Sequence, residues 1–225
     1  MPGAEGLILD CMTDKSSATD RLCRKPSGFF GRLSLRSMNK RHSPLTDWGL
    51  SHISIPEDGS ILDIGCGGGR TLEKLAAATN GEVCGIDHSP DSVAASRKLN
   101  ARAIAWGHVR IVQGSVSALP FPDNAFDLVT AVETHFFWPN LAGDVREVLR
   151  VLRPKGTFVV IAEIYKGATT AAAKMIEKRG AASGMQLLTP DEHRELLERA
   201  GFADVQVAVN EAKAWICCKG TKATA

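Results

Sequence analysis

One stretch limits the possible folds more than any other. The apolar run Ile61-Leu62-Asp63-Ile64 breaks into Gly65-Cys66-Gly67-Gly68-Gly69, and a helical pattern begins at Thr71-Leu72-Glu73-Lys74-Leu75-Ala76. Glycine reaches backbone angles closed to other residues and lets a ligand approach the main chain. A glycine turn between strand and helix is therefore a shelf, with the helix's first amides facing whatever lies on it. Four glycines in one turn directly after an acid exceed what an ordinary tight turn needs.

The rest of the chain repeats the alternation. Pro56-Glu57-Asp58-Gly59 is a turn before a strand at 60–64, and the helix after the glycines ends near Ala78 at Asn80-Gly81. Residues 82–87 form a second strand ending in Asp87, and Ser89-Pro90-Asp91 opens a helix to about Arg102. Strands follow at 108–113, 126–132 and 157–161. Between the last two, Leu141, Val145, Val148, Leu149 and Leu152 make a helical stripe that Pro154-Lys155-Gly156 terminates. Residues 167–183 read as helix, and Thr189-Pro190-Asp191-Glu192 is a capping box for a helix closed by Gly201. Residues 205–209 and 214–218 read as closing strands.

Alternating strands and helices joined by right-handed crossovers predict an α/β, doubly wound fold. Its sheet is seven-stranded and mostly parallel, with helices on both faces and an antiparallel C-terminal strand. Three parts are expected: a disordered or loosely packed tail at 1–25, an N-terminal helical arm or lid at 26–55, and a Rossmann-like domain at 56–220. In the arm, Leu33, Leu35, Met38, Leu45, Trp48 and Leu50 are apolar anchors among basic residues, and Arg41-His42 and Trp48 are groups it can deliver to the domain's active face.

Bulk properties exclude several classes. The 225 residues suffice for one α/β domain, and 44% hydrophobic with 23% charged residues is ordinary for a globular chain. A net charge of +2 gives no reason to expect nucleic acid as a partner. Residues 21–42 do hold seven Lys/Arg and no Asp/Glu, a solvated segment or an arm for an anionic ligand. Six cysteines with no CxxC pair suit reduced thiols and a cytoplasmic setting. Residues 1–25 lack the basic start and apolar core of a leader, and no run nears the ~20 apolar residues of a membrane span.

Three strand ends outline one pocket. Asp63 and the glycines at 65, 67, 68 and 69 close the first, Asp87 the second, and Gly114-Ser115-Val116 the third. An acid about twenty residues past a glycine turn is placed to take two ribose hydroxyls. A dinucleotide fingerprint, G-x-G-x-x-G, fails because its third glycine falls on Arg70; acid-x-G-x-G-x-G fits instead.

Here the chain resembles the class I, Rossmann-like S-adenosylmethionine-dependent methyltransferases, in particular the small-molecule type similar to the ubiquinone/menaquinone group. Matching stretches are Leu62-Asp63-Ile64-Gly65-Cys66-Gly67-Gly68-Gly69, Gly85-Ile86-Asp87-His88-Ser89, Leu119-Pro120-Phe121, Phe126-Asp127-Leu128-Val129 and 147–156, over roughly residues 38–220. The resemblance implies S-adenosylmethionine as methyl donor and S-adenosylhomocysteine as product. It implies that the backbone from Gly65 through Cys66 and Gly67 to Gly69 faces the methionine part. Asp63 orients that loop or meets the amino group, Asp87 binds the ribose, and His88 lies beside the adenine. Gly114, Ser115 and Val116 line the adenine edge, where the family often has an acid in place of Ser115. Glu133 and Thr134 lie by the methyl donor.

A sulfonium is already an activated donor, so a base is needed only where the acceptor carries a proton. His42, Glu133, His135 and Tyr165 have the right chemistry as catalytic candidates. A packed ring is as good an account of Tyr165, and a surface or capping role as good an account of His42. Glu133, His135 and His42 have no metal-ligand spacing such as H-x-x-x-H, so no metal is expected. Trp48, Phe136, Phe137 and Trp138 favour an apolar or aromatic small-molecule acceptor, with no nucleic acid, no stable membrane insertion and a homodimer open. Two other classes remain: a non-catalytic S-adenosylmethionine/S-adenosylhomocysteine-binding sensor or assembly protein, and another nucleoside-cofactor enzyme on the same fold.

Overall fold

A computed structural model of the chain describes residues 41–180 and 184–224. The expected tail at 1–25, the arm up to residue 40 with its apolar anchors there, and the end of the helix expected to reach 183 lie outside the described residues. The elements in order are α1 (41–50), β1 (Ile61–Ile64), α2 (Arg70–Ala78), β2 (Val83–Asp87), α3 (Pro90–Leu99), α4 (Ala101–Ala105) and β3 (Val109–Gln113). They continue with β4 (Phe126–Val132), a 3-10 turn (His135–Phe137), α5 (Leu141–Val151), β5 (Leu152–Ala162), α6 (Ala171–Gly180), α7 (Pro190–Ala200), β6 (Phe202–Asn210) and β7 (Trp215–Lys222).

The seven strands form one sheet in the order β3-β2-β1-β4-β5-β7-β6. β1 to β5 pair in parallel, and β7 runs antiparallel to both β5 and β6. The chain reverses its direction of winding between β1 and β4, and ligands bind such sheets at the carboxyl ends beside that point. Side chains alternate across the strands. Leu62, Ile64, Val129, Ala131, Phe158 and Val160 face α5 and α7, while Ile61, Leu128, Val159 and Ile161 face α1, α2 and α3. β1 and β2 are buried on both faces, which explains their continuous apolar runs.

The local signals act as their chemistry suggests. The Ser89 side chain accepts from Ser92 N to cap α3, and Thr189 and Glu192 complete the capping box of α7, which Gly201 closes at φ 104. Several boundaries differ from expectation. α6 starts at Ala171 rather than 167, α5 stops at Val151 ahead of Pro154, and β6 and β7 extend to Phe202–Asn210 and Trp215–Lys222. Two more have a visible cause. The helix from Pro90 stops at Leu99 because Asn100 leaves helical geometry (φ −97, ψ 17), and its side-chain amide donates to Gly69 O at 3.0 Å. β5 begins at Leu152, five residues earlier than expected, opposite Phe126. A register shift then carries the chain through Lys155 at φ 68 and back into pairing at Thr157, opposite Leu128.

α1 lies on the sheet face of β5 and β7. Leu45 is buried, Cys217 Sγ donates to Gly49 O at 3.6 Å, and Lys219 Nζ donates to His52 O at 2.8 Å. Contact at Gly49 is so close that a Cβ there would sit 2.4 Å from Ile161 Cδ1. Among the described residues no helix is long and apolar enough to cross a membrane. The described thiols, Cys66, Cys84, Cys217 and Cys218, are free and buried.

Candidate active site at the carboxyl ends of the strands

The glycine turn is built by β1 and β2 together. Gly65 N and Cys66 N both donate to Ile86 O, at 2.8 and 3.1 Å. Gly65 has φ 72, and a Cβ on it would meet Thr134 Oγ1 at 2.2 Å. Gly69 has φ 84 and is packed against Ser96 of α3 and Asn100 at that helix's end. Gly67 differs: at φ 51, an added Cβ has only Gly65 O within 4 Å, at 3.8 Å. Its neighbours close the turn from below and leave this edge open to a ligand. The Cys66 thiol is buried, and burial pushes its pKa up.

Two acids flank the turn. Asp63 is 2% exposed, and Thr130 Oγ1 donates to its Oδ1 at 2.6 Å. Burial pushes the Asp63 carboxyl up to about 7, against the pull of the Thr130 hydrogen bond and with a push from Asp87. Asp87 receives Gly67 N on Oδ2 at 2.9 Å and Ser89 N on Oδ1 at 2.8 Å. A carboxylate accepts at about four positions, so two remain for a ligand. His88 is exposed, with Nδ1 3.6 Å from Asp87 Oδ1. Gly114 N donates to Asp87 O at 3.0 Å, Ser115 Oγ accepts from Ser117 N at 3.2 Å inside its own turn, and Val116 is part of the core. The open glycine edge, a buried acid for an ammonium and an acid for a diol together fit an amino-acid-bearing nucleoside such as S-adenosylmethionine.

Past β4 and β5 a second group gathers. Glu133 takes φ 57, and its Oε1 accepts from Glu163 N. His42 Nε2, delivered by α1, lies 3.8 Å from Glu133 Oε2 and 3.7 Å from Glu163 Oε1. Arg41 Nη2 donates to Glu163 Oε1 at 2.9 Å and lies 2.6 Å from His42 Nε2. Burial, and then the charge of Glu163, push the Glu133 carboxyl above the usual carboxylate range. Burial works on Glu163 as well, but His42 and Arg41 outweigh it and hold that carboxyl below the usual range.

His135 and Tyr165 do not join this group. His135 is 2% exposed, and its Nε2 lies 3.0 Å from His193 Nε2 of α7. His193 Nδ1 lies 2.8 Å from Thr189 O. A carbonyl can only accept, so His193 is protonated at Nδ1 and accepts at Nε2, and His135 donates. That leaves His135 Nδ1 buried with no hydrogen-bond partner among the described residues. Burial lowers the pKa of both rings. Tyr165 packs in an apolar cluster with Phe136, Ile164 and Ala173.

Thr130, Asn100, His193 and Glu163 escaped the sequence reading. Only Glu163 had a visible signal, an acid directly past a strand's carboxyl end, as at Glu133. The potential metal donors also differ from those weighed in the sequence: His42, Glu133 and Glu163 lie within 4.8 Å of one another, and His135 is not among them.

Sheet order and strand pairing define a Rossmann-like α/β fold, with the glycine turn and acidic strand ends at the carboxyl edge of the sheet. Residues 62–160 match the family model described as a methyltransferase domain. The chain is 34% identical over 110 residues to the sterol 24-C-methyltransferase erg-4 of Neurospora crassa, covering 49% of this chain and 29% of that enzyme. The chain thus spans under a third of the length of that relative. In fold it is similar to a SAM-dependent methyltransferase from Aquifex aeolicus (TM-score 0.66, 17% identity, 84% of this chain and 96% of that one). It is also similar to the [4+2]-cyclase SpnF (TM-score 0.65, 19% identity, 84% and 83%).

Proposed function

We propose that the chain is an S-adenosylmethionine-dependent methyltransferase acting on a small apolar or aromatic acceptor. The observation that carries this is the pairing of Gly67 N with Asp87 Oδ2, which fixes an open glycine edge beside a carboxylate with acceptor capacity to spare. Asp87 holds the ribose hydroxyls, Asp63 faces the ammonium, and Gly65 to Gly69 cradle the methionine part. Gly114, Ser115 and Val116 border the adenine, with the main chain in place of the family's usual acid because the Ser115 hydroxyl closes its own turn. When bound, the sulfonium supplies an activated methyl group. The protein's part is to align acceptor and donor and to exclude water.

Glu133 and His42 are the candidates for taking a proton from the acceptor. Phe136 and Phe137, with α1 as part of a lid over the 56–220 domain, supply apolar wall. The acceptor's apolar character is in keeping with the sterol substrate class named for the Neurospora relative. The small net charge argues against a nucleic-acid partner, and the buried thiols suit a cytoplasmic setting.

Calorimetry with S-adenosylmethionine, S-adenosylhomocysteine and NAD tests the proposal. Binding of both sulfur nucleosides and not NAD is the expected result; binding of neither overturns it. Binding without methyl transfer to any of a broad metabolite panel marks the sensor reading instead.

A further inference from the structure

The groups around Glu133 are arranged to do more than bind a methyl donor. Metal–ligand distances of roughly 2.0–2.6 Å allow the ligand atoms of one ion to lie at most about 5 Å apart. One imidazole nitrogen and two carboxylates, from His42, Glu133 and Glu163, meet that limit, all within 4.8 Å of one another. They come from three separate elements, α1 and the ends of β4 and β5, which converge from different sides. Two further observations point to a ligand. The Glu133 side chain is 10% exposed, yet its Oε2, aimed into the group, makes no hydrogen bond among the described residues and has His42 Nε2 only at 3.8 Å. A cationic group also already stands against the other two donors: Arg41 Nη2 lies 2.9 Å from Glu163 Oε1 and 2.6 Å from His42 Nε2. The Arg41 side chain is 28% exposed, so it can swing out to solvent and leave a path in.

We propose that His42, Glu133 and Glu163 form a divalent-cation site, for which the Arg41 guanidinium stands in when no metal is bound. One imidazole with two carboxylates suits Mn²⁺ and similar borderline-hard ions. Three protein ligands leave coordination positions open, and an oxygen-bearing acceptor can fill them. That use of the cation rests on the methyltransferase reading; the binding of the cation does not.

The experiment is a Mn²⁺ titration of the tag-free chain, with free Mn²⁺ read by electron paramagnetic resonance. Wild-type chain, Arg41→Gln, Glu133→Gln and Glu163→Gln are compared, and folding of each is checked by circular dichroism. One Mn²⁺ per chain is expected, bound about ten-fold tighter in Arg41→Gln and at least ten-fold weaker in either glutamine variant of the acids. No saturable binding in wild type and Arg41→Gln overturns the proposal, as does unchanged affinity in folded Glu133→Gln and Glu163→Gln. Should the acid variants fail to fold, Arg41→Gln decides alone: tighter binding supports the site, equal or weaker binding overturns it. Because Mn²⁺ is read without any nucleoside, failure of S-adenosylhomocysteine to bind leaves this result intact.

Discussion

Gly67 N donates to Asp87 Oδ2 over 2.9 Å, so the acid that closes β2 also holds the glycine turn that follows β1. Its other oxygen takes Ser89 N, the N-cap residue of α3. One carboxylate thus fixes two loops and still presents free acceptor positions to the cleft. Under the proposed reading, shape of the pocket and affinity for its ligand are coupled through this side chain.

Replacing Asp87 with Ala removes both functions. S-adenosylhomocysteine affinity is expected to fall at least ten-fold. Stability is expected to fall by about 1–3 kcal/mol, because Gly67 N and Ser89 N lose their acceptor in a largely buried place. Asp87→Asn keeps one acceptor oxygen and should lose affinity with a smaller loss of stability. Calorimetry and urea unfolding separate the two effects, and unchanged affinity in both variants removes the ribose role.

Gly65 and Gly67 should respond differently to alanine although both have positive φ. Gly67→Ala costs about 1–2 kcal/mol of left-handed backbone strain and meets no wall. The chain should fold and lose nucleoside binding, because the methyl group fills the open edge. Gly65→Ala adds the same strain and drives its Cβ to 2.2 Å from Thr134 Oγ1. It should be the less stable variant by several degrees in Tm, measured by thermal melts; equal Tm values would remove the distinction between wall and edge.

Asp63 gives the ligand-free protein a pH-dependent weakness. Its folded-state pKa of about 7 lies above the unfolded value near 3.8, so between those values the folded chain holds a proton the unfolded chain has lost. Stability therefore falls as pH rises from about 4 to 7, by at most about 1.4 kcal/mol per unit, and is level above that. Asp63→Asn abolishes this slope. Its advantage over wild type in urea unfolding should grow from pH 5 to pH 8, while its S-adenosylhomocysteine affinity falls. A difference that does not change with pH would contradict the burial account.

The His135–His193 pair acts in the opposite sense. Burial lowers both folded-state pKa values, so below about pH 6.5 the unfolded chain takes up protons that the folded pair refuses. Stability contributed by the neutral pair is complete above that pH and is lost on acidification. His193→Gln removes one titrating ring, so the loss between pH 6.5 and 5.5 should become shallower by up to about 1.4 kcal/mol per unit. Urea midpoints of variant and wild type compared at each pH isolate this slope from that of Asp63.

The sequence by itself determined the sheet, the glycine turn and its two flanking acids. Each is a local matter: apolar runs of strand length, caps such as Ser89 and Thr189, glycines where φ is positive, and an acid where a strand ends. Two of the boundaries it missed were decided by contacts made elsewhere. Asn100 breaks its helix to reach Gly69, and β5 starts early because Leu152 finds Phe126.

Only the tertiary structure decided which groups share the second half of the site. Glu133 and His135 are two residues apart, and in a continuing strand they would point the same way. The positive φ of Glu133 and the 3-10 turn after it break that alternation, sending His135 into the core against His193 and Glu133 toward α1. Arg41 and Glu163 meet across 122 positions of sequence because α1 lies back over β5. Contacts of that range leave no spacing along the chain to read, so the cluster of His42, Glu133 and Glu163 exists only once the sheet and its covering helix are in place.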